Sequence, residues 1–232
     1  MDQIIHQSVF GLALTLTTYL VSLWLHARSG RNPLCTPVLV TVVVVAAVLQ
    51  VTGLEYAEYL EQVTVLTVLL GPATVALALP LLANGRALLS AAPAVLAALV
   101  VGAVVSLGVT IGAMRLVGAP TEILLAALPR SVTAPVALTL AEQLAASAPL
   151  AVVLTIVSGI LGAVLGPTLL SLARVRDERA RGFAIGLTSH GIGTSRALAE
   201  SDVAGGWSSA AMVLNALAMT VALPVLARLL GG

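Results

Sequence analysis

The chain has no lysine, one cysteine and few charges of either sign: 9% of its 232 residues are charged and 3% are aromatic. Soluble domains carry about a quarter charged residues, so a free-standing soluble fold is excluded. Cys35 alone cannot close an intramolecular disulfide, and no cysteine–histidine cluster suggests a metal. A net charge of +1 gives nucleic acid nothing to hold. No G-x-S-x-G nucleophile motif occurs and the Ser, His and acidic residues are scattered, so no enzyme is expected. The apolar runs are continuous rather than alternating, which argues against a β-barrel. The start, "MDQIIHQSVFGLALTL", lacks a basic n-region and a cleavage site and reads as a first span.

What is present is hydrocarbon: 59% hydrophobic residues and a mean hydropathy of +1.09. The expected fold is an all-α polytopic membrane protein, one transmembrane domain over 1–232. Six full spans are predicted, at Ser8–Ala27, Pro37–Val51, Val63–Leu82, Leu88–Met114, Pro149–Leu172 and Trp207–Leu230. Four of them fill residues 1–115. Two broken segments, Thr121–Gln143 and Gly182–Asp202, each head a unit that ends in a long span (121–172 and 182–230).

Arginine alone sets the orientation. Arg28 and Arg31 follow the first span, Arg86 the third, and Arg174, Arg176, Arg179 and Arg181 the fifth. The loop "GLEYAEYLEQ" carries three glutamates and no basic residue. The positive-inside rule places the arginine loops in the cytoplasm and the N-terminus outside. Trp24 and Trp207 then sit near the cytoplasmic interface. The fourth span ends outside and the fifth must start there, so Thr121–Gln143 returns to the side it left, as a re-entrant hairpin. One kinked crossing is the alternative, which length does not exclude. Laying "RSVTAPVALTLAEQ" over "HGIGTSRALAESDV", a shift of sixty residues, pairs Arg130 with His190 and Glu142 with Asp202. A hairpin plus one crossing reverses direction, so the two units would form an inverted repeat, a plan that places substrate where broken helices meet. "PATVALALP", Pro72–Pro80, is a weaker third copy.

The polar breaks contain the candidate site. Gly191 and Gly193 permit irregular backbone, and Thr194 or Ser195 can cap the helix that follows. In the other break Thr133 is the expected N-cap, with Pro135 in the first turn. Helix starts favour an anion, and Arg130, beside Ser131, can grip a carboxylate bidentately. His190 can supply a reversible positive charge that couples substrate to a proton, or can simply be a satisfied polar group. Arg196 either binds substrate or pairs with Glu200 four residues on. Glu142 and Asp202 are expected to be solvated, Asn215 to join helices, and "SGILGAVLG", Ser158–Gly166, to be a packing face first and a pathway second.

These segments are also what the chain shares with a known family. "VFGLALTLTTYL", "LLGPATVALALPL" (Leu69–Leu81), "LPRSVTAPVA" (Leu128–Ala137), "GILGAVLGP" (Gly159–Pro167) and "SHGIGTSRALAE" (Ser189–Glu200), in this order, resemble the LrgB/CidB family of antiholin-like membrane proteins over essentially the whole chain. Ala134 stands where a second threonine is frequent in the family, and Ser195 where alanine is. The resemblance implies control of murein hydrolase activity and autolysis beside a small holin-like LrgA/CidA-type partner. It also implies carriage of glycolate, glycerate or pyruvate, since plant relatives translocate the first two and some bacterial members are linked to the third. The expected function is therefore a secondary carrier or facilitator of small monocarboxylates in a bacterial cytoplasmic membrane, with a regulator of a holin-like pore as the alternative and a channel left open. No cofactor is expected beyond a coupling proton or sodium ion, and the partners are the carboxylate, the holin-like protein, the bilayer and, as an open alternative, further copies of the chain. The lysine-free, Ala/Val/Arg-rich usage suggests a high-GC bacterium.

Overall fold

The computed structural model describes residues 9–30, 35–76, 79 and 85–231. All regular structure among them is helical: eleven α-helices and one 3₁₀ turn. The helices are α1 (Phe10–Arg28), α2 (Pro37–Thr52), α3 (Tyr56–Gln62), α4 (Thr64–Ala76), α5 (Gly85–Ser90), α6 (Ala92–Leu116), α7 (Thr121–Ala127), α8 (Ala134–Gln143), α9 (Ala148–Leu172), α10 (Glu178–Leu198) and α11 (Asp202–Gly231). The 3₁₀ turn Leu128–Ser131 joins α7 to α8.

Four helices are long and apolar enough to cross a bilayer: α1, α6, α9 and α11 over Asp202–Arg228. The expected second span is α2, whose 16 residues reach only about 24 Å. Of the third, Val63–Leu82, the described part is α4; its remainder lies outside the described residues, as do Ser8, Arg31 and most of the end of "PATVALALP". The chain is thus an all-helical, multi-pass membrane protein. It divides into two compact units, Met1–Val75 and Ala76–Gly232.

In the N-terminal unit, polar groups fix α1 against its neighbours. The backbone N–H of Gly11, one of the donors that a helix start leaves without an intrahelical partner, donates to Gln62 Oε1 at 2.6 Å. A Cβ at position 11 would meet Gln62 and Tyr59 at about 3.0 Å, so glycine is what lets α3 approach. Thr15 Oγ1 and Tyr59 Oη lie 2.8 Å apart. Helix α2 opens on Pro37, where the missing N–H costs little, and stops at Gly53, whose φ of 69° is the left-handed C-cap conformation. The Arg28 guanidinium lies 5.3 Å from the Trp24 ring centroid, a cation–π contact at the end of α1.

In the C-terminal unit, two segments double back. Arg181 and Glu200 are nineteen residues apart, about 28 Å along a straight helix, yet Arg181 Nε donates to Glu200 Oε2 at 3.1 Å and Nη2 to Oε1 at 3.3 Å. Ser201 Oγ donates to Glu178 Oε2 at 2.9 Å. A Cβ on Gly193 would lie 3.1 Å from the carbonyl oxygen of Ile185. Helix α10 is therefore a hairpin of two arms folded at His190, whose φ of 41° and ψ of −137° are not helical. The segment α7–3₁₀–α8 folds likewise. Ala126 of α7, Ala141 of α8 and Ala151 of α9 share one buried cluster, although fifteen residues of straight helix would part Ala126 from Ala141 by about 22 Å.

The mouths of these hairpins lie at opposite ends of α9. The first closes against Ala151, near the start. The second is tied to the end, where Arg181 donates to the carbonyl of Pro167 at 3.3 Å and to Ser171 Oγ at 3.3 Å.

Candidate functional site at the hairpin tips

Both hairpins reach the middle of the two helices that bracket them. Arg130, in the 3₁₀ tip of the first, donates from Nε to Thr110 Oγ1 (2.8 Å), from Nη1 to Ser158 Oγ (3.2 Å) and from Nη2 to the carbonyl of Ser106 (3.4 Å). Ser158 is ten residues into α9, about 15 Å from its start and half the thickness of the hydrocarbon core. His190, the tip of the second, shares a 3.0 Å hydrogen bond between Nε2 and the carbonyl of Thr155, one turn earlier on α9. Asn215, midway along α11, joins the two. Its Nδ2 donates to the carbonyl and Oγ of Ser131 (3.0 and 3.3 Å) and to the carbonyl of Leu187 (3.1 Å).

The first tip follows from local sequence. Pro129 sits at the start of the 3₁₀ turn, and Val132 continues in extended backbone. Pro135 lies in the first turn of α8, whose N-cap position is Thr133 as expected. Thr133 Oγ1, however, makes no capping bond; it is buried and unpartnered, as are Thr155 Oγ1 and Asn215 Oδ1. Buried polar atoms normally find partners, so three unfilled oxygens around one pair of hairpin tips mark where polar groups could be received.

The second tip is not built as expected. The break falls on His190, and neither Gly191 nor Gly193 adopts positive φ. Gly193 serves close approach instead, since a Cβ there would meet Ser189 and Ile185 of the facing arm. Thr194 and Ser195 do not cap a helix start. Thr194 Oγ1 donates to the carbonyl of His190 (2.8 Å) and lies 2.9 Å from Ser208 Oγ, while Ser195 Oγ donates to the carbonyl of Ile192 (2.8 Å). A histidine at positive φ is strained by about 1–3 kcal/mol. The surroundings hold it: the ring packs where any side chain at Gly159 would stand, and Ser189 occupies the place of one at Gly162. The "SGILGAVLG" stretch is thus a packing face, as its small residues suggested.

The other candidates separate. Ser131 is buried at the junction with Asn215. Gly191 is exposed at the fold. Arg196 lies away from the tip, 3.7 Å from Glu200 in an i,i+4 pair. Glu142 and Asp202 are exposed at the outer ends of their segments, as expected. Sequence reasoning missed Ser106, Thr110, Thr155 and Ser158, which line the tips from α6 and α9. The available signal was a hydroxyl pair one turn apart inside each of two apolar helices. Among the described residues no group of three or more His, Cys, Asp or Glu could hold a metal ion.

The chain is similar to known proteins over nearly its whole length. The model of the LrgB-like family matches residues 15–229. The holin-like protein CidB of Staphylococcus epidermidis is 30% identical over 95% of this chain and 96% of its own. YwbG of Bacillus subtilis is 32% identical over 94% and 96%, and YxaC of the same organism 32% over 90% and 91%. No solved structure matches. On the strength of the family match and of these whole-length similarities, the chain belongs to the LrgB-like family.

Proposed function

We propose that this protein carries small monocarboxylates, of the pyruvate, glycolate and glycerate class, across the bacterial cytoplasmic membrane. The observation that carries the reading is Arg130. Its guanidinium lies at mid-depth between two apolar helices and meets only neutral oxygens, with no carboxylate partner among the described residues. An arginine at that depth is costly and marks a functional position, and an anion brought from water supplies the missing counter-charge. The unpartnered Thr133 Oγ1 and the start of α8 stand three residues away, with donors suited to a carboxylate.

The two hairpins, mouthed at opposite ends of α9, support an inverted pair of units around one central site. Withdrawal of one hairpin exposes the tips to one side, and withdrawal of the other to the opposite side. In this reading His190 at the second tip couples a proton to substrate, with sodium as the alternative ion.

A second reading is favoured by the name of the staphylococcal relatives, which are called holin-like. In it the chain regulates a holin-like LrgA/CidA-type partner and has no substrate. Uptake of labelled pyruvate, glycolate and glycerate into proteoliposomes that hold this chain alone separates the two. Substrate-dependent uptake, reduced about tenfold or more in both Arg130→Ala and Arg130→Lys, is the expected result. No uptake of any of the three, with the protein correctly inserted, overturns carriage and leaves the regulator. Full uptake in Arg130→Lys removes the bidentate contact.

A further inference from the structure

Away from the hairpin tips, α6 and α10 touch at one place and part at another. Gly102 of α6 lies against Leu187 of α10, where any side chain on the glycine would collide. Towards the start of both helices they diverge, and a slot of about 320 Å³ opens between them. Its walls are stripes of alanine: Ala91, the N-cap of α6, with Ala94 and Ala98 on that helix, and Ala180 and Ala184 on α10. Its floor is Val95, Phe183 and Trp207, all nearly buried. The slot surface is almost entirely apolar, so Arg179 lines it with its stem, and the side chain is otherwise exposed.

Arg179 differs from the arginine two residues on. Arg181 is consumed by Glu200, Ser171 and the carbonyls of Val175 and Pro167. Among the described residues the Arg179 guanidinium has no hydrogen-bond or ion-pair partner, and the side chain is exposed. Arg174 and Arg176 are exposed in the adjoining loop, and Arg86 lies five residues before Ala91. An open apolar slot lined by the stem of an exposed, unpaired arginine, with further arginines nearby in the chain, complements an alkyl chain attached to an anionic headgroup.

We propose that this slot binds one anionic phospholipid. An acyl chain lies between the alanine stripes over Phe183 and Trp207, and the phosphate meets Arg179. The arginine-rich end is the one that the positive-inside rule assigns to the cytoplasmic surface, so the lipid comes from that leaflet. Alanine is what keeps the slot open, since larger side chains on either stripe would fill it. The proposal is independent of what the hairpin tips bind.

The test uses the full chain in nanodiscs of phosphatidylcholine mixed with phosphatidylglycerol, with native mass spectrometry to count retained lipids. Wild type is expected to keep one phosphatidylglycerol in preference to phosphatidylcholine. Arg179→Gln should lower that preference about fivefold, the contribution of one basic residue at an anionic surface. Ala94→Leu, on the exposed rim where no packing is disturbed, should abolish retention of either lipid. Equal retention of both lipids by wild type overturns the proposal, as does wild-type retention in the two variants. A change from dimer to monomer in Ala94→Leu with an unchanged lipid count also overturns it, making the slot an interface between two copies.

Discussion

The two hairpins reach the same depth by different means. The second is closed at its mouth by polar bonds: Arg181 with Glu200 and Ser201 with Glu178. Along its first arm Gly182 and Gly186 lie directly on the α11 backbone at Ala204 and Ser208, the small-residue packing that lets membrane helices approach closely. The first hairpin has no polar tie at its mouth among the described residues. Leu124, Leu140 and Leu144 hold it against Met219 and Leu223, and Glu122 and Glu142 stay exposed. Apolar contacts between helices can slide in a bilayer, because lipid is as apolar as the partner. Charge-assisted pairs fix register. The mouth of the second hairpin is thus held by polar bonds and that of the first by apolar contact.

The most severe way to break this comparison is to part the second hairpin from α11. Gly186→Leu puts a side chain where the Ser208 backbone stands, and backbone cannot give way as a side-chain end can. A loss of more than about 3 kcal/mol is expected, read as disappearance of the monodisperse peak in detergent size-exclusion. Gly191→Ala is the control. A Cβ there meets only Met212 Sδ at 3.9 Å, and the expected change is within about 0.5 kcal/mol. Equal behaviour of the two variants would remove the close α10–α11 contact.

A smaller effect follows from opening the mouth. Arg181→Gln removes both contacts to Glu200 and three further donations. The pair is partly accessible, at 14% and 19% side-chain exposure, so solvent screens it and the cost falls below that of a fully buried pair, to about 2 kcal/mol. Wild type should also lose thermal stability as salt is raised, and Arg181→Gln should not. At the first hairpin Glu142→Gln should change neither stability nor salt response. A variant of Arg181 that melts like wild type would leave the mouth of the second hairpin held no more firmly than that of the first.

Much of this contrast could be read in the sequence, and the unread part has two causes. The positions of the four bilayer-length helices follow from apolar length, and the two breaks from Pro129, Pro135 and polar runs. The Arg196–Glu200 pair follows from i,i+4 spacing. The Arg181–Glu200 contact does not, because nineteen residues bring two groups together only after the chain has folded back. The same holds for the hydroxyls that receive Arg130, which come from helices on either side. His190 misled the local reading for a different reason. Glycines beside a break suggest that they supply its backbone freedom, but here they supply room, and the irregular torsion falls on the residue whose ring is locked between α9 and the second arm.

The mildest test compares one threonine in each hairpin. Thr194, in the second, uses its hydroxyl twice, towards the His190 carbonyl and Ser208. Replacing it with valine, of nearly the same shape, leaves Ser208 short of a partner and should cost about 1–2 kcal/mol. Thr133, in the first, stands at an N-cap but makes no capping bond, and its Oγ1 is buried without any partner. The usual penalty for deleting a cap therefore does not arise, and Thr133→Val removes an unsatisfied polar atom. It should stabilise the protein by about 1 kcal/mol, a rise of a few degrees in melting temperature in detergent. If the hydroxyl is held ready for a carboxylate, the same substitution lowers uptake in proteoliposomes. A melting temperature that rises while transport falls is the signature of a group kept for binding at the expense of stability. A melting temperature that falls in Thr133→Val, as in Thr194→Val, would mean that both threonines are structural and that the two hairpins are closed alike.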